Sequence, residues 1–215
     1  QYLMDNIESE GYIDFYLWPR LSPHGYLWVM PKGNSTANVG IVSNDPKTLH
    51  KNLKQFIKEK EYFKSKILRP FGGVIPSSGP LKKTYWEGLL LAGDAAGFTS
   101  PMFEGGTQLA LKSGELAART FAKYSKQQVA EGEDKYPAAK LSSYQSDWQK
   151  EFPPYDKLLK GKDHFYSFSE DELNKIAKIL PADLTNLTTN DKLKIGTRLL
   201  MQGPSLIFKN FFSAM

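Results

Sequence analysis

The sequence of 215 residues contains no cysteine. Disulfide bonds, thiolate catalysis and cysteine-ligated iron–sulfur clusters are therefore excluded within this chain. Its three histidines, His24, His50 and His164, have no spacing typical of a metal site, and we predict no metal. No stretch approaches the ~18 uninterrupted apolar residues of a membrane-spanning helix, and the N-terminus lacks a signal pattern. The lack of cysteine is compatible with a reducing cytoplasm, which is the compartment we expect.

The net charge of +5 is mild and fits an anionic cofactor, an anionic membrane surface or nucleic acid about equally well. The basic residues are dispersed among Asp and Glu, so we expect no nucleic-acid partner. The tail around Arg198, Lys209, Phe211 and Phe212 is basic and aromatic. It is suited either to peripheral contact with a membrane or to packing as a terminal helix, which we favour.

Residues 1–86 contain aromatic and β-branched runs separated by turn residues, which predicts an antiparallel sheet. Asn44, Asp45 and Pro46 then read as the start of a helix, with proline at its first position. Four apolar positions share one face of that helix: Leu49, Leu53, Phe56 and Ile57.

Residues 87–126 begin with the apolar run Leu89–Ala92, which is typical of a strand buried on both faces. A sharp turn at Gly93-Asp94 and a loop rich in glycine and proline follow, and a helix is predicted from Gly106. Small and apolar residues on this helix form one predicted packing stripe: Leu109, Ala110, Gly114, Ala117 and Phe121.

Residues 127–215 are predicted to form a helical domain after a polar linker. A first helix is indicated by the spacing of Leu141, Tyr144 and Trp148, and it ends at Pro153-Pro154. A second helix begins with the capping box formed by Ser169 and Glu172 and stops at Pro181.

The turn after Leu89–Ala92 has a specific binding chemistry. Asp94 would lie at the carboxyl edge of a sheet, where a carboxylate suits ribose-like or ribitol-like hydroxyls rather than a phosphate. Gly105 and Gly106 lie at the start of a helix, where bare N–H groups and the helix dipole favour an anion. A flavin dinucleotide offers both hydroxyls and negative charge, and its ring becomes anionic on reduction.

The stretch GDAAGFTSP…GG…LALKSGELAA resembles the second FAD-binding motif of p-hydroxybenzoate-hydroxylase-like flavoproteins, and most closely that of the geranylgeranyl reductase family. The resemblance implies an α+β fold, the C-terminal part of such an FAD fold. Residues 1–86 would be a partial substrate-binding domain with an antiparallel sheet, residues 87–126 the returning strand and helix of the FAD-binding domain, and residues 127–215 a helical C-terminal domain. The FAD contacts that it implies are Asp94 at the ribitol, Gly93, Ala95 and Ala96 along the pyrophosphate side, and Pro101, Gly105, Gly106 and Thr107 facing the isoalloxazine.

A second stretch, PHGYLWVMPKGNSTANVGI, resembles the family segment that lines the isoprenoid cavity. The positions that match it are Pro23, Tyr26, Trp28 and Met30. The last three are spaced i, i+2, i+4 and therefore share one face of a strand, where they would form a long apolar wall. The alternative is that this face is simply the core of the sheet.

Reduction of C=C bonds in geranylgeranyl chains, such as those of ether lipids, is the activity that this resemblance implies. Reduced FAD delivers hydride to one carbon, and an acid or water protonates the other. The catalytic acid is unknown. Glu104 in the flavin loop is a candidate, although a surface or loop-capping role is favoured. The electron donor could be NADPH, ferredoxin or another flavoprotein.

The sequence departs from the family pattern at two loop positions, where Glu104 replaces a glycine and Thr107 an isoleucine. These changes lean toward electron-transfer-flavoprotein:quinone oxidoreductases and their FixC relatives, so an electron-transfer flavoprotein is the alternative function. A non-enzymatic lipid-binding module is a further one. The family's G-x-G-x-x-G fingerprint is missing. We therefore expect a C-terminal portion whose partner is the N-terminal FAD-binding half, and which is inactive alone.

Overall fold

The computed structural model describes residues 1–125 and 136–202. Two compact units are present: Gln1–Gly73 with the described residues from Asp163 onward, and Val74–Lys162. The α-helices of the described residues are α1 Leu49–Glu59, α2 Thr107–Ser125, α3 Ala138–Glu151, α4 Tyr155–Phe165, α5 Glu170–Ile179 and α6 Thr189–Gln202. The predicted domain boundaries near residues 86 and 126 remain predictions.

A five-stranded antiparallel sheet forms the base of the first unit, in the order β2-β3-β4-β1-β5. Its strands are β1 Tyr2–Met4, β2 Asp14–Tyr16, β3 Tyr26–Gly33, β4 Thr36–Val42 and β5 Ile67–Pro70. The predicted meander corresponds to β2, β3 and β4. The other two strands were not predicted, because β1 has only three residues and β5 joins it from far along the chain.

Helix α1 covers one face of this sheet through the predicted positions, and Leu53 and Phe56 are fully buried there. The predicted helix start is wrong, however, since α1 begins at Leu49. The Asp45 carboxylate accepts hydrogen bonds from the Thr48 hydroxyl at 2.6 Å and from the Lys47 N–H at 3.1 Å. Asp45 and Pro46 therefore form a turn ahead of the helix, because the short acidic side chain competes for the backbone.

The C-terminal part of the first unit contains α5 and α6. The predicted capping box is confirmed: the Ser169 hydroxyl accepts the Glu172 N–H at 3.3 Å, and the Glu172 carboxylate accepts the Ser169 N–H at 2.8 Å. Helix α5 ends before Pro181, as predicted. Arg198 lies in α6, whereas Lys209, Phe211 and Phe212 lie outside the described residues.

The second unit begins with a short hairpin, in which β6 (Tyr85–Trp86) pairs with β7 (Leu89–Leu90). The prediction of a strand buried on both faces at Leu89–Ala92 is therefore wrong. Leu89 is 48% exposed, and among the described residues β7 pairs only with β6. Burial on both faces needs strand neighbours and covering layers on each side, and the described part of the chain supplies one neighbour only.

Helix α2 exists as predicted, and its packing stripe is confirmed in part, since Leu109 and Ala117 pack against the core cluster of the second unit. Gly114 is exposed, and the buried positions are Ser113, Leu116 and Thr120. The two hydroxyl groups are tolerated there because they donate to the backbone carbonyls of Ala110 and Leu116, at 3.0 and 2.9 Å. A pattern based on apolar residues alone does not detect buried serine and threonine residues of this kind.

Helix α3 buries the predicted positions Leu141, Tyr144 and Trp148. The Trp148 indole N–H donates to the Thr84 hydroxyl at 2.9 Å, and the Tyr144 hydroxyl donates to the Leu91 carbonyl at 2.7 Å. Burial raises the pKa of Tyr144 to about 12. These two bonds tie α3 to the hairpin that leads into the Gly93 turn.

The ion pair between Arg20 and Glu59 makes the stability of the first unit depend on pH. Hydrogen bonds from Arg20, at 2.9 Å, and from Gln55 lower the pKa of Glu59 from 4.5 to about 2. A depressed carboxyl pKa stabilises the folded state above pH ~4.5, and this contribution is lost as the pH falls toward 2. Glu59→Gln should therefore reduce the dependence of the unfolding free energy on pH across this window.

Chemical denaturation at a series of pH values measures this effect, with Glu8→Gln, which changes an exposed carboxylate, as the matched control. An unchanged pH profile in Glu59→Gln would show that the pair does not contribute to folding.

Candidate functional site

The chain turns sharply after β7, as the sequence predicts. Residues Gly93–Ala96 form one 3-10 turn that is closed by hydrogen bonds from the Gly97 N–H to the Asp94 carbonyl at 2.9 Å and from the Phe98 N–H to the Gly93 carbonyl at 3.0 Å. Gly93 and Gly97 have φ values of 56° and 78°, which glycine adopts without steric cost. The two glycines thereby allow the turn to double back.

A buried hydrogen bond anchors this turn to α2. The Gly93 N–H donates to the Ser113 hydroxyl at 2.9 Å, and that hydroxyl donates onward to the Ala110 carbonyl. A Cβ atom at Gly93 would lie 3.3 Å from the Ala110 Cβ, so the backbone approaches the helix closely. The position of Asp94 is consequently fixed relative to the first turns of α2.

The Asp94 carboxylate lies beside the beginning of α2. A Cβ atom at Gly106 would be 3.1 Å from the Asp94 Oδ1 atom and 3.4 Å from the Thr99 Cγ2 atom. Asp94 is exposed, and its carboxylate accepts no hydrogen bond from any described residue, so it does not cap the helix. The first turn of α2, from Thr107, carries no acidic residue and presents free N–H groups.

The structure therefore brings a hydroxyl acceptor and an anion-favouring helix terminus together, with glycine between them. A ligand that carries both hydroxyls and negative charge fits this arrangement, and FAD is such a group. The absence of a Cβ at Gly106 leaves the space that a close backbone contact requires.

The other predicted cofactor residues differ in exposure. Ala96 and Pro101 are buried, and the Ala96 carbonyl accepts the Leu81 N–H at 3.0 Å. Ala95, Gly105 and Thr107 are exposed beside Asp94. Their assignment to FAD stays a prediction, and the exposed members are the ones whose atoms can reach a ligand directly.

Glu104 has an unusual environment. Its φ of 49° is in the left-handed region, which costs a residue other than glycine about 1 kcal/mol or more. Its side chain is only 3% exposed, and its Oε1 atom is 3.5 Å from the Lys162 Nζ atom. The surface alternative expected from the sequence is therefore wrong, since this carboxylate is buried and ion-paired, whereas the loop-capping alternative stays a prediction.

In the first unit, β3 separates two apolar faces. Leu27 and Val29 point into the core beneath α1, whereas Tyr26, Trp28 and Met30 lie on the opposite face. None of these three side chains belongs to the core cluster beneath α1, although Tyr26 is buried at 6% exposure and Trp28 and Met30 are partly buried. The assignment of their face to a prenyl wall or to the core of the sheet stays a prediction. Pro23 precedes the strand, and its carbonyl accepts the Ser43 hydroxyl at 2.8 Å.

Aromatic rings line this second face, which we call the aromatic face and define by Phe15, Tyr26, Trp28 and Met30. The Tyr26 ring centroid is 5.3 Å from that of Phe15 and 5.7 Å from that of Trp28. The Trp28 indole lies over Gly40, its partner on β4, where any side chain would clash with the ring. The Trp28 ring thus occupies the space that a side chain at residue 40 would need.

A cationic side chain, that of Arg69, lies farther across the sheet on the same side as the aromatic face. The strand register pairs Met30 with Asn38, Asn38 with Leu3, and Leu3 with Arg69, so these four residues share one face. Arg69 is exposed and forms no ion pair with any described residue. Sequence reasoning missed Arg69 because its place depends on β1 and β5, neither of which was predicted.

Comparison with known proteins relates this geometry to a family. Residues 1–75 match the family described as geranylgeranyl reductase catalytic domain. Over 97% of its length, the chain is 33% identical to a digeranylgeranylglycerophospholipid reductase from Methanoculleus marisnigri. Over 96% it is 33% identical to the reductase of that name from Methanocaldococcus jannaschii. The chain belongs to the geranylgeranyl reductase family.

The fold agrees with that membership. The chain superposes over its whole length on a geranylgeranyl bacteriochlorophyll reductase-like protein from Thermoplasma acidophilum, with a TM-score of 0.79 and 27% identity, and covers 53% of that protein. The predicted α+β fold and the family resemblance are thereby confirmed. The chain spans about half the length of the curated relatives it matches, 52% for both methanogen reductases. These relatives give no support to the FixC-like alternative.

Membrane-spanning helices and metal-binding clusters are both absent from residues 1–125 and 136–202. None of their helices combines the length and apolar character needed to cross a bilayer. No group of three or more His, Asp or Glu side chains among them could hold a metal ion.

The bond between Gly93 and Ser113 leads to a prediction about stability. Ser113→Ala would leave the buried Gly93 N–H without its acceptor, which should lower the unfolding free energy by about 1–3 kcal/mol. Equilibrium unfolding in urea measures the change. Ser142→Ala is the matched control, because Ser142 also donates to the carbonyl three residues before it, at 2.7 Å, but accepts nothing from a distant turn. Equal effects in the two variants would contradict the anchoring role.

Proposed function

We propose that this chain supplies the flavin-facing loop and the prenyl-binding wall of an enzyme that reduces C=C bonds in the geranylgeranyl chains of an ether phospholipid. One observation carries the assignment of the cofactor. The exposed Asp94 carboxylate, without any hydrogen bond from the described residues, lies beside Gly106 at the N-terminus of α2. This arrangement suits the ribitol hydroxyls and the negative charge of FAD.

In this proposal Asp94 accepts hydrogen bonds from the ribitol, while Gly93, Ala95 and Ala96 lie along the pyrophosphate side. Pro101, Gly105, Gly106 and Thr107 face the isoalloxazine. FAD, when bound and reduced, supplies the hydride for one carbon of the double bond. The terminus of α2 favours the negative charge that the reduced ring carries.

The aromatic face is the proposed wall for the prenyl chain, with Pro23 at its entrance. Tyr26, Trp28 and Met30 offer a long apolar surface, and the wall positions the alkene and keeps water away. Most of the energetic benefit of binding such a chain comes from removing apolar surface from water. Water or an acid not assigned here protonates the second carbon, and the electron donor, NADPH or ferredoxin, stays a prediction.

The position of Arg69 indicates the orientation of the bound lipid. Three strand spacings separate Met30 from Arg69, which amounts to about 14 Å across the sheet. A prenyl chain on the aromatic face would therefore extend toward a cation suited to a phosphate headgroup. The similar methanogen proteins are named as reductases of a glycerophospholipid, which supports a substrate with such a headgroup.

The proposal is tested with the full-length protein, which is purified and examined for a flavin spectrum. It is then reduced anaerobically with a geranylgeranyl glycerophospholipid present, and the lipid is analysed by mass spectrometry. We expect a gain of two hydrogen atoms for each double bond. A flavin that is reoxidised by quinone while the lipid stays unchanged would favour electron transfer, and the absence of flavin would contradict both functions.

Substitution of Gly106 tests the cofactor site. The new Cβ of Gly106→Ala would press against Asp94 Oδ1, so we expect FAD to bind about tenfold more weakly, or about 1.4 kcal/mol. Fluorescence titration of the full-length apoprotein with FAD measures the dissociation constant. Gly114→Ala is the matched control, since it lies in the same helix with no atom within 4 Å of the added Cβ. Unchanged affinity in Gly106→Ala would contradict the placement of FAD.

Substitution of Arg69 tests the headgroup assignment. Arg69→Gln should raise KM for the phospholipid about tenfold, because a charge-assisted hydrogen bond is lost, and should leave kcat nearly unchanged. With the uncharged geranylgeranylglycerol ether, the variant and the unmodified enzyme should behave alike. Arg119→Gln, at an exposed arginine paired with Glu115, is the control. Equal loss with both substrates would assign Arg69 to folding instead of headgroup binding.

A further inference from the structure

Two features of the structure make a glutamate energetically unfavourable at position 104. Its backbone is left-handed, a conformation that glycine adopts freely and a side chain disfavours. Its carboxylate is almost completely removed from water, which penalises a charged group. A buried acid that is costly on both counts implies a specific compensating contact.

Lys162 provides that contact. Its Nζ atom lies 3.5 Å from the Glu104 Oε1 atom, and its side chain is 14% exposed. By contrast, the second unit's other ion pairs of this kind lie at the surface: Lys112 pairs with Glu151 at 2.7 Å, with side chains 35% and 43% exposed. Of the ion pairs recorded among the described residues, the Glu104–Lys162 pair is the one shielded from solvent, where charges interact most strongly.

The pair joins two elements at the edge of the candidate site. Glu104 immediately precedes Gly105 and Gly106, and α2 begins at Thr107, while Lys162 lies in α4. The carbonyl of Gly105 accepts the Ser100 N–H at 2.9 Å, which closes the loop upon itself. Fixing Glu104 against α4 therefore fixes the loop whose last residues present the N–H groups at the start of α2.

We propose that the Glu104–Lys162 ion pair is an internal clamp that positions the glycine loop and balances charge beside the anionic ring of reduced FAD. This inference rests on the proposed function for the identity of the bound group. Glu104 and Lys162 are positioning residues in this account, since neither needs to touch the cofactor. This account assigns Glu104 no part in proton transfer.

If the pair balances charge beside the flavin, replacing either residue should change the reduction potential of bound FAD. A purely structural contact would leave that potential unchanged. Removing the lysine leaves a negative charge near the ring and disfavours the anionic reduced form, so the reduction potential of bound FAD should fall in Lys162→Gln. Removing the carboxylate leaves a positive charge, so the potential should rise in Glu104→Gln. The double variant has neither charge, and its potential should return toward that of the unmodified protein.

The test measures these potentials in the full-length protein by spectroscopic titration. Thermal unfolding of the same proteins without FAD provides a readout that is independent of the cofactor. Both single variants should unfold at lower temperature, Lys162→Gln more so because its uncompensated carboxylate is the more deeply buried group, and the double variant should lose less than the sum. Glu151→Gln, at the exposed pair on α3, is the matched control and should change the potential little.

Potential shifts of the same sign, or none, would overturn the charge-balancing role, and additive losses of thermal stability would overturn the clamp. Normal FAD binding and potential in Glu104→Gln, together with loss of lipid reduction, would make Glu104 the proton donor and would also overturn the inference. A full-length protein that binds no flavin would contradict the proposed function, and the unfolding measurements on it would still decide whether the two residues form a clamp.

Discussion

The hydrogen bond from the Gly93 N–H to the Ser113 hydroxyl is the constraint on which the candidate site depends. It joins the turn after β7 to α2 inside the protein, where water cannot replace it. Because Gly93 has no side chain, the backbone can approach Ala110 closely enough for this bond to form. Asp94 follows directly in the chain, so its carboxylate is held beside the N-terminus of the same helix. The function we propose for the loop uses this fixed relation between an acceptor and a helix terminus.

The sheet of the first unit has two different faces. Leu27 and Val29 point toward α1 and form the core, while Tyr26 and Trp28, alternating with them, form the other face. Strand geometry imposes this separation, since successive side chains point to opposite faces. The unit can consequently fold on one face and present aromatic surface on the other. The prenyl-binding role that we propose for the chain uses this second face.

Sequence patterns predicted those parts of the fold that depend on local periodicity. The β3 alternation, the buried face of α1 and the capping box at Ser169 follow from the spacing of a few residues. Patterns failed where a competing polar contact or a distant partner decides the outcome. Asp45 redirected the start of α1, and the hydroxyls of Ser113 and Thr120 replaced apolar residues on the buried face of α2.

The candidate site was predictable to a similar degree. The Gly93-Asp94 turn and the glycines before α2 were identified from their residue types, because a sharp turn and a bare helix terminus need them. Arg69 and Lys162 were missed, since strand register and packing between elements bring them to their places. Glu104 was noticed as a departure from the family motif, but only the structure revealed its burial against Lys162.

The most direct test of the central claim is hydrogen–deuterium exchange of the full-length protein, measured by mass spectrometry with and without FAD. If the Gly93 turn and the start of α2 hold the flavin, added FAD should slow exchange most strongly in peptides covering residues 93–110. Peptides from α5 should exchange at the same rate in both samples. Saturating FAD that protects other parts of the protein while residues 93–110 exchange unchanged would contradict the account.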